Sequence, residues 1–257
     1  MSGFKSQQPQ DKRDGMKLIQ LNAWLGNLKL NLVEFLKEED ADILNLQEVS
    51  DGFGTSADYL NLRAILRKEL RYRYSSFVPM SRGTMNGIPV SEGNMVLSKY
   101  PIRSARVFYV SRPRRANLLF SGRANSIPLQ YVRIEAEGRT IHDFNYHEML
   151  VWGRFGNQAT AQHSRRVAER MASLDQDEMI ILCGDFNQDP RSGTLDAINK
   201  SYTNLVLKHR IKTTRNELAF DTVPVDNIFV NAAVRVRSVR SPKVYVSDHL
   251  PVIMSFD

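Results

Sequence analysis

Apolar and polar positions along the chain follow two periods, and together they lay out a series of strands and helices. Lys17-Leu18-Ile19-Gln20-Leu21-Asn22 predicts a first strand, and the amide of Asn22 stands where the run stops in Asn22-Ala23-Trp24. From Leu28 to Lys37 apolar residues recur at helical spacing. Ala41 to Leu46 returns to strand character, and Glu48 follows in Gln47-Glu48-Val49. If these βα-like units run parallel, Asn22 and Glu48 reach the same edge of one sheet. Leu60 to Leu70 predicts an amphipathic helix with its arginines outward. Met80 to Gly93, rich in Gly, Ser, Met and Asn, predicts a long loop.

The middle of the chain is β-rich. Asn94 to Leu97, Arg103 to Val110, Leu118 to Phe120, Leu129 to Glu137 and Thr140 to His147 predict strands, the last two joined by a turn at Glu137-Gly138. In the last of these Asp143, Asn145 and His147 share one face and His142 takes the other. Gly153 to Gly156 opens an arginine-rich amphipathic helix from about Asn157 to Leu174. It leads into Ile180-Ile181-Leu182-Cys183-Gly184-Asp185-Phe186-Asn187, an apolar run suited to a strand buried on both faces. That run ends in a carboxylate and a carboxamide two residues apart, where open α/β sheets place their chemistry. A short helix near Thr194 to Asn199 follows, and the basic stretch after it, up to Arg215, has no readable pattern. Val223 to Val230 predicts a strand whose inner Asp226 needs a partner if it is buried. Val234 to Val246 alternates Val with Arg like a sheet edge with one wet face. Ser247-Asp248-His249 then precedes a last strand, Pro251 to Phe256. There is no internal repeat. Residues 1–15 read as a solvated tail and residues 16–257 as one catalytic domain.

Composition narrows the classes. A chain of 257 residues buries one sizeable core. No apolar stretch approaches the roughly twenty residues that a membrane-spanning helix needs, so no integral membrane segment is expected. The first fifteen residues lack the apolar centre of a signal peptide, and the single Cys183 lies in an apolar strand, so the expected location is a reducing cytoplasm. The net charge of +7 favours polyanionic partners, nucleic acid or anionic lipid. Its basic residues cluster in 63–73, 103–123, 208–215 and 235–243, and such clusters are most often solvated faces.

Asn22, Glu48, His147, Asp185, Asn187, Asp226, Asp248 and His249 all stand at or near strand ends. Carboxylates and amides are hard oxygen ligands suited to Mg2+ or Mn2+, and imidazoles can move protons or contact an anionic oxygen. Zinc fits less well, because the chain has no Cys pair and no HExxH. The strings LNAW, LQEV, GNMVLSKYPI, NYH, GDFN, VDNIFV and SDHLP occur in the order found in the endonuclease/exonuclease/phosphatase superfamily, and the chain resembles that superfamily over nearly its whole length.

The resemblance implies a DNase I-like fold: an α/β four-layer sandwich of two mixed β-sheets flanked by helices, with the active site at one end. It implies that Glu48 is the main ligand of a divalent ion, with Asn22 and Asp248 near the same ion. Asp185 and Asn187 would orient and activate the attacking water. His249, oriented by Asp226, would touch the scissile phosphate, and His147 would stabilise phosphoryl oxygens or protonate the leaving group. Whether Asp185 or the Asp226–His249 pair is the general base stays open. The expected activity is metal-dependent phosphodiester hydrolysis by a monomer acting on DNA or RNA. The alternatives are a lipid or small-molecule phosphoesterase, of phosphoinositide or sphingomyelin type, and a catalytically silent binding module. The continuation Asn22-Ala23-Trp24-Leu25 departs from that usual in exonuclease III-like abasic endonucleases and argues against abasic-site specificity.

Overall fold

The computed structural model describes residues 15–52, 60–85, 88–111 and 127–257. The tail expected at 1–15 falls outside these residues except for Gly15, as do the strand expected at Leu118 to Phe120 and part of the 103–123 basic cluster. The strands are β1 (Met16–Asn22), β2 (Ile43–Asp51), β3 (Tyr74–Met85), β4 (Ile88–Ser98), β5 (Ile102–Tyr109), β6 (Pro128–Ala136), β7 (Arg139–His147), β8 (Met179–Asp185), β9 (Thr203–Asn204), β10 (Asp226–Val230), β11 (Val236–Arg240) and β12 (Val252–Phe256). The helices are α1 (Lys29–Glu39), α2 (Leu62–Glu69), α3 (Gln158–Ala172), α4 (Asp196–Asn199) and α5 (Leu205–Lys208).

The strands form two six-stranded mixed sheets, ordered β11-β12-β1-β2-β4-β3 and β5-β6-β7-β8-β10-β9. Each sheet has one parallel pair near its middle. β1 and β2 are joined through α1, and β7 and β8 through α3, so both crossovers are βαβ units. The expected DNase I-like four-layer sandwich is present, and the alternation of side chains along each strand explains the layers. Leu18, Ile43, Val132, Ile134, Ile141, Ile181 and Ile228 point between the sheets. Ile19, Leu21, Leu44 and Leu46 point the other way, into a cluster with Leu32 and Leu36 of α1 and Leu62 and Leu66 of α2. Ile180 and Leu182 pack outward with Val167 and Met171 of α3. Each fully buried Leu or Ile contributes on the order of 2 kcal/mol, so these three clusters carry the fold.

Between the sheets the chain changes character from one end to the other. On the inner face β1 reads Met16, Leu18, Gln20, Asn22, and β7 reads Ile141, Asp143, Asn145, His147. The apolar core thus gives way to a buried polar ladder at the carboxyl ends of the parallel strands. Gln20 Nε2 donates to Gln47 Oε1 (2.9 Å), Gln47 Nε2 to Asn145 Oδ1 (2.6 Å), and Asn145 Nδ2 to the carbonyls of Leu46 and Met95 (3.1 and 3.2 Å). These bonds tie the two sheets together directly beneath the strand ends.

One member of the ladder is an acid. Asn45 Nδ2 donates to Asp143 Oδ1 (2.9 Å), while Asp143 Oδ2 and Asn45 Oδ1 have no partner among the described residues. Burial pushes the Asp143 pKa up to about 7 against the lesser opposing effect of Asn45, so at mildly acidic pH the acid is protonated in the fold and ionised when unfolded. A folded-state pKa above the unfolded value means that this stability is complete below about pH 4 and lost as pH rises to about 7. Asp143→Asn is therefore expected to melt about 5 °C above the natural protein at pH 8, with the gap much reduced at pH 5 and closed below about pH 4. Equal gaps at both pH values would show that Asp143 is ionised in the fold.

The segment Met80 to Gly93, expected as a loop, is instead most of a long antiparallel hairpin, with β3 and β4 paired from Tyr74↔Ser98 to Met85↔Ile88. Cross-strand bonds there do not require apolar alternation, and the small polar residues that suggested a loop hide the period of two. The edge strand expected over Val234 to Val246 is confined to β11, and the strand expected from Val223 begins at Asp226.

Candidate active site

All eight singled-out residues meet at one end of the sandwich, and each is placed by an identifiable piece of backbone. Asn22, His147 and Asp185 are the last residues of β1, β7 and β8. Because β7 and β8 run parallel with His147 opposite Asp185, and β10 runs antiparallel with Asp226 opposite Asp185, three functional groups share one level of the second sheet. Gly184 makes that approach possible, since a Cβ there would lie 2.2 Å from the Tyr146 carbonyl oxygen. Glu48 sits in β2 where the register with β4 shifts between Leu46 and Val49, and its φ is 51°. Five of the nine non-glycine residues with left-handed backbone among those described line the cleft: Trp24, Leu25, Glu48, Arg154 and Asn187. Strain of this kind costs about 1 kcal/mol or more per residue, and its concentration here marks backbone held to aim side chains.

The side chains form one connected array. Asn22 Nδ2 donates to Glu48 Oε1 (2.9 Å) and to Asp185 Oδ2 (3.0 Å), and its Oδ1 accepts from the Trp24 amide (3.0 Å). Asp185 Oδ1 accepts from the Asn187 amide (2.8 Å), and its Oδ2 lies 3.7 Å from both His147 Nε2 and His249 Nε2. Asn187 Nδ2 reaches His147 Nε2 (3.3 Å) and donates to the Glu148 carbonyl (2.8 Å). His249 Nδ1 is 2.7 Å from Asp226 Oδ2, which also accepts from Thr214 Oγ1 (2.7 Å), while Asp226 Oδ1 accepts from Gln20 Nε2 (3.0 Å). Asp226 thus has the partner its burial demands. Glu48, His147, Asp185, Asn187, Asp248 and His249 line a cleft of ≈ 290 Å³; Asn22 and Asp226 lie fully buried beneath it.

Electrostatics separate these groups. Burial raises the Asp185 carboxyl, but His249, His147 and Arg215 outweigh it, so its pKa is below the usual value. Burial raises Asp226, and His249 opposes without cancelling. Burial lowers His249, but Asp226 and Asp185 reverse this and hold the imidazole at about 9. Arg215 opposes them. Its Nη1 lies 3.0 Å from His249 Nε2, a close cation that disfavours the imidazolium.

Several cleft residues were not singled out by sequence. Arg215 is buried, with Nη2 donating to Asp248 Oδ2 (3.1 Å). Arg154, also buried, donates through Nη1 to Asn187 Oδ1 and through Nε to Asp221 Oδ2 (2.8 Å). Asp221 Oδ1 also lies 3.6 Å from Arg215 Nε. Glu148 accepts from Tyr146 Oη (2.6 Å) and pairs with His163 Nδ1 of α3 (3.0 Å), anchoring the start of the β7–α3 connection. Glu92 faces Glu48, and its pKa is raised by burial and by that neighbour.

Five carboxylates (Glu48, Glu92, Glu148, Asp185, Asp248) and two guanidiniums line the cleft, a donor set of hard oxygens with excess negative charge that fits a divalent cation. Ligand atoms of Asp185, Asp226 and His249 also lie within 4.8 Å of one another. The oxygens of Asp226 are taken by three hydrogen bonds, however, so this trio is better described as a hydrogen-bonded relay than as the coordination shell.

The fold and the cleft define a phosphoesterase-type centre, and sequence comparison gives the family. The Endonuclease/Exonuclease/phosphatase family profile matches residues 19–249, and the chain belongs to that family, an enzyme of the phosphoric ester hydrolase class. Members of this family generally use a divalent metal. Solved structures with the same fold include an endonuclease/exonuclease/phosphatase from Bacteroides vulgatus (TM-score 0.74, 18% identity, covering 95% of this chain and 99% of that one). The catalytic domain of human Nocturnin with bound sulfate is also similar (0.71, 17%, 95% and 93%), as is the Bacteroides thetaiotaomicron mannosyl-6-phosphatase Bt3783 (0.67, 16%, 94% and 99%). At these identities the likeness shows the fold alone. No curated protein matches the sequence. Among the described residues no helix is long and apolar enough to cross a membrane, and Cys183 is buried.

Proposed function

We propose that the protein is a Mg2+- or Mn2+-dependent phosphodiester hydrolase that acts on nucleic acid by attack of water at phosphorus. The observation that carries this reading is the single array of hydrogen bonds and close carboxylate–imidazole contacts joining Asn22, Glu48, His147, Asp185, Asn187, Asp226 and His249 around one cleft. Glu48 and Asp248, both lining the cleft, would hold the ion. Asn22, whose amide N–H groups point at Glu48 and Asp185, orients both carboxylates. When bound, the ion supplies positive charge to the phosphoryl and leaving oxygens.

The chain's own groups do the rest. Asp185 sits between two imidazoles next to Asn187 and takes the proton of the attacking water, which Asn187 positions. The choice of Asp185 as base rests on its position, 3.7 Å from both imidazoles and bonded to the Asn187 amide. His249 Nε2–H donates to a non-bridging phosphoryl oxygen, its ring fixed by Asp226. His147 donates to a second phosphoryl oxygen or to the leaving group.

Nucleic acid is favoured as substrate by the net charge of +7 and by exposed aromatic side chains beside the cleft, Trp152 and Phe220. With Mg2+ in excess the protein is expected to hydrolyse single-stranded DNA or RNA as well as bis-p-nitrophenyl phosphate. Turnover of the small diester with every nucleic acid left intact would replace this reading by a small-molecule or lipid phosphoesterase. Binding of oligonucleotide is expected to weaken steeply between 50 and 200 mM salt, by about ten-fold or more. A flat response would assign the positive charge to solubility.

A further inference from the structure

Beside the cleft, the connection from β7 to α3 and the segment before β10 bring together two large aromatic side chains that packing does not explain. Trp152 is 85% exposed and Phe220 65% exposed, and their ring centroids lie 6.3 Å apart. Exposed aromatics are ordinary singly, whereas a contacting pair at the mouth of a polar cleft is a surface built for a ring.

The pair is held in place from below. The Arg154 and Arg215 guanidinium carbons lie 4.8 and 5.2 Å from the Phe220 ring centroid, and both arginines pair with Asp221, the next residue. The same two arginines contact Asn187, Asp248 and His249, so Phe220 is coupled to the phosphate-facing groups through two buried cations. Trp152 is fixed through its backbone. Gly153 and Arg154 have φ of 77° and 61°, and the Arg154 carbonyl accepts from the Asp189 amide (2.8 Å), which docks this turn onto the loop after β8. Phe220 also lines the cleft, so the aromatic surface is continuous with the site.

Resting on the hydrolase reading above, we propose that Trp152 and Phe220 are the specificity-determining platform of this enzyme, on which an unpaired base next to the scissile phosphate stacks. A base has a flat π-face whatever its identity, and ring–aromatic stacking beside buried cations suits it. The geometry requires a base free of its duplex partner, because a paired base presents only its edge outside the stack. The expected substrate class is therefore single-stranded or frayed-end nucleic acid, with little preference for sequence.

The platform is tested by comparing two probes of equal length and charge, a fluorescent dT oligonucleotide and the same backbone made entirely of abasic residues. Binding is measured by anisotropy in EDTA, so that turnover plays no part, and cleavage is measured separately in Mg2+. The natural protein is expected to bind the dT probe about ten-fold more tightly than the abasic one. Trp152→Ala, which removes a side chain that is 85% exposed, is expected to lose most of that preference while its affinity for the abasic probe stays put. Phe220→Tyr is expected to retain the preference and Phe220→Ala to lose it, which separates a stacking role from a general loss of fold. Equal affinity of the natural protein for both probes, or an unchanged preference in Trp152→Ala, would overturn the platform while leaving hydrolysis of both intact. Failure of the underlying reading looks different: neither probe is cleaved and bis-p-nitrophenyl phosphate is. Should Trp152→Ala instead abolish binding to anionic phospholipid vesicles with no effect on oligonucleotides, the pair would be a membrane contact and the proposal would be overturned.

Discussion

Replacing Asp185 by asparagine is expected to lower kcat for phosphodiester hydrolysis about 1,000-fold while the protein stays folded. The substitution keeps volume and the Oδ1 that accepts from the Asn187 amide. It removes the negative charge lying 3.7 Å from both His147 and His249, and it puts an N–H group where the Asn22 amide now donates. Three consequences then fall on one step: no base for the water proton, a weaker hold on the Asn22 amide that orients Glu48, and less charge to sustain the His249 imidazolium. Stability is expected to survive because His249 keeps its bond to Asp226, so no buried acid is orphaned. kcat within ten-fold of the natural protein, in a variant with an unchanged circular dichroism spectrum, would take Asp185 out of the mechanism.

Glu48→Gln is expected to weaken Mg2+ activation at least about 100-fold and to lower the rate at ordinary Mg2+ by a similar factor. Glu48 is the least buried carboxylate of the array, with its side chain 25% exposed at the cleft wall, and its backbone is held at a φ that a glutamate rarely adopts. A strained residue whose carboxylate opens into solvent-filled space is placed for a ligand rather than for packing. High Mg2+ is expected to restore part of the lost rate, since Asp248 and the phosphate oxygens remain. A variant with the natural Mg2+ dependence would mean that the ion sits elsewhere, and Glu92 would be the next carboxylate to replace.

The strand ends could be read from sequence because each is a place where an apolar or alternating run gives out in a polar residue, as at Asn22, His147 and Asp185. Register then carries His147, Asp185 and Asp226 to one level of the second sheet without further information. Glu48, read as following a strand that ends at Leu46, lies instead inside a β2 that runs on to Asp51 across a register shift, which no periodicity announces. Arg154 and Arg215 escaped notice for a physical reason. An arginine, alone like Arg154 or in a basic stretch like Arg215, looks the same in sequence whether it is solvated or buried against a carboxylate. Arg63, Arg237 and Arg240 make surface ion pairs of little energetic weight, while Arg215 is enclosed by Asp248, Asp221 and His249. What distinguishes Arg215 is the backbone bridge that sets it opposite His249, a contact between residues 34 positions apart. The β3–β4 hairpin was hidden in the same way, because its partner strand and not its own pattern makes it a strand.

The cleft as a metal-assisted phosphoester hydrolase centre is tested most directly by the initial rate of single-stranded oligonucleotide hydrolysis as a function of free Mg2+. The rate is expected to be zero in EDTA, to rise and saturate with Mg2+ in the natural protein, and to stay near the EDTA baseline in Asp185→Asn at every concentration. Hydrolysis at an equal rate in EDTA, or an Asp185→Asn curve that overlays the natural one, would contradict it.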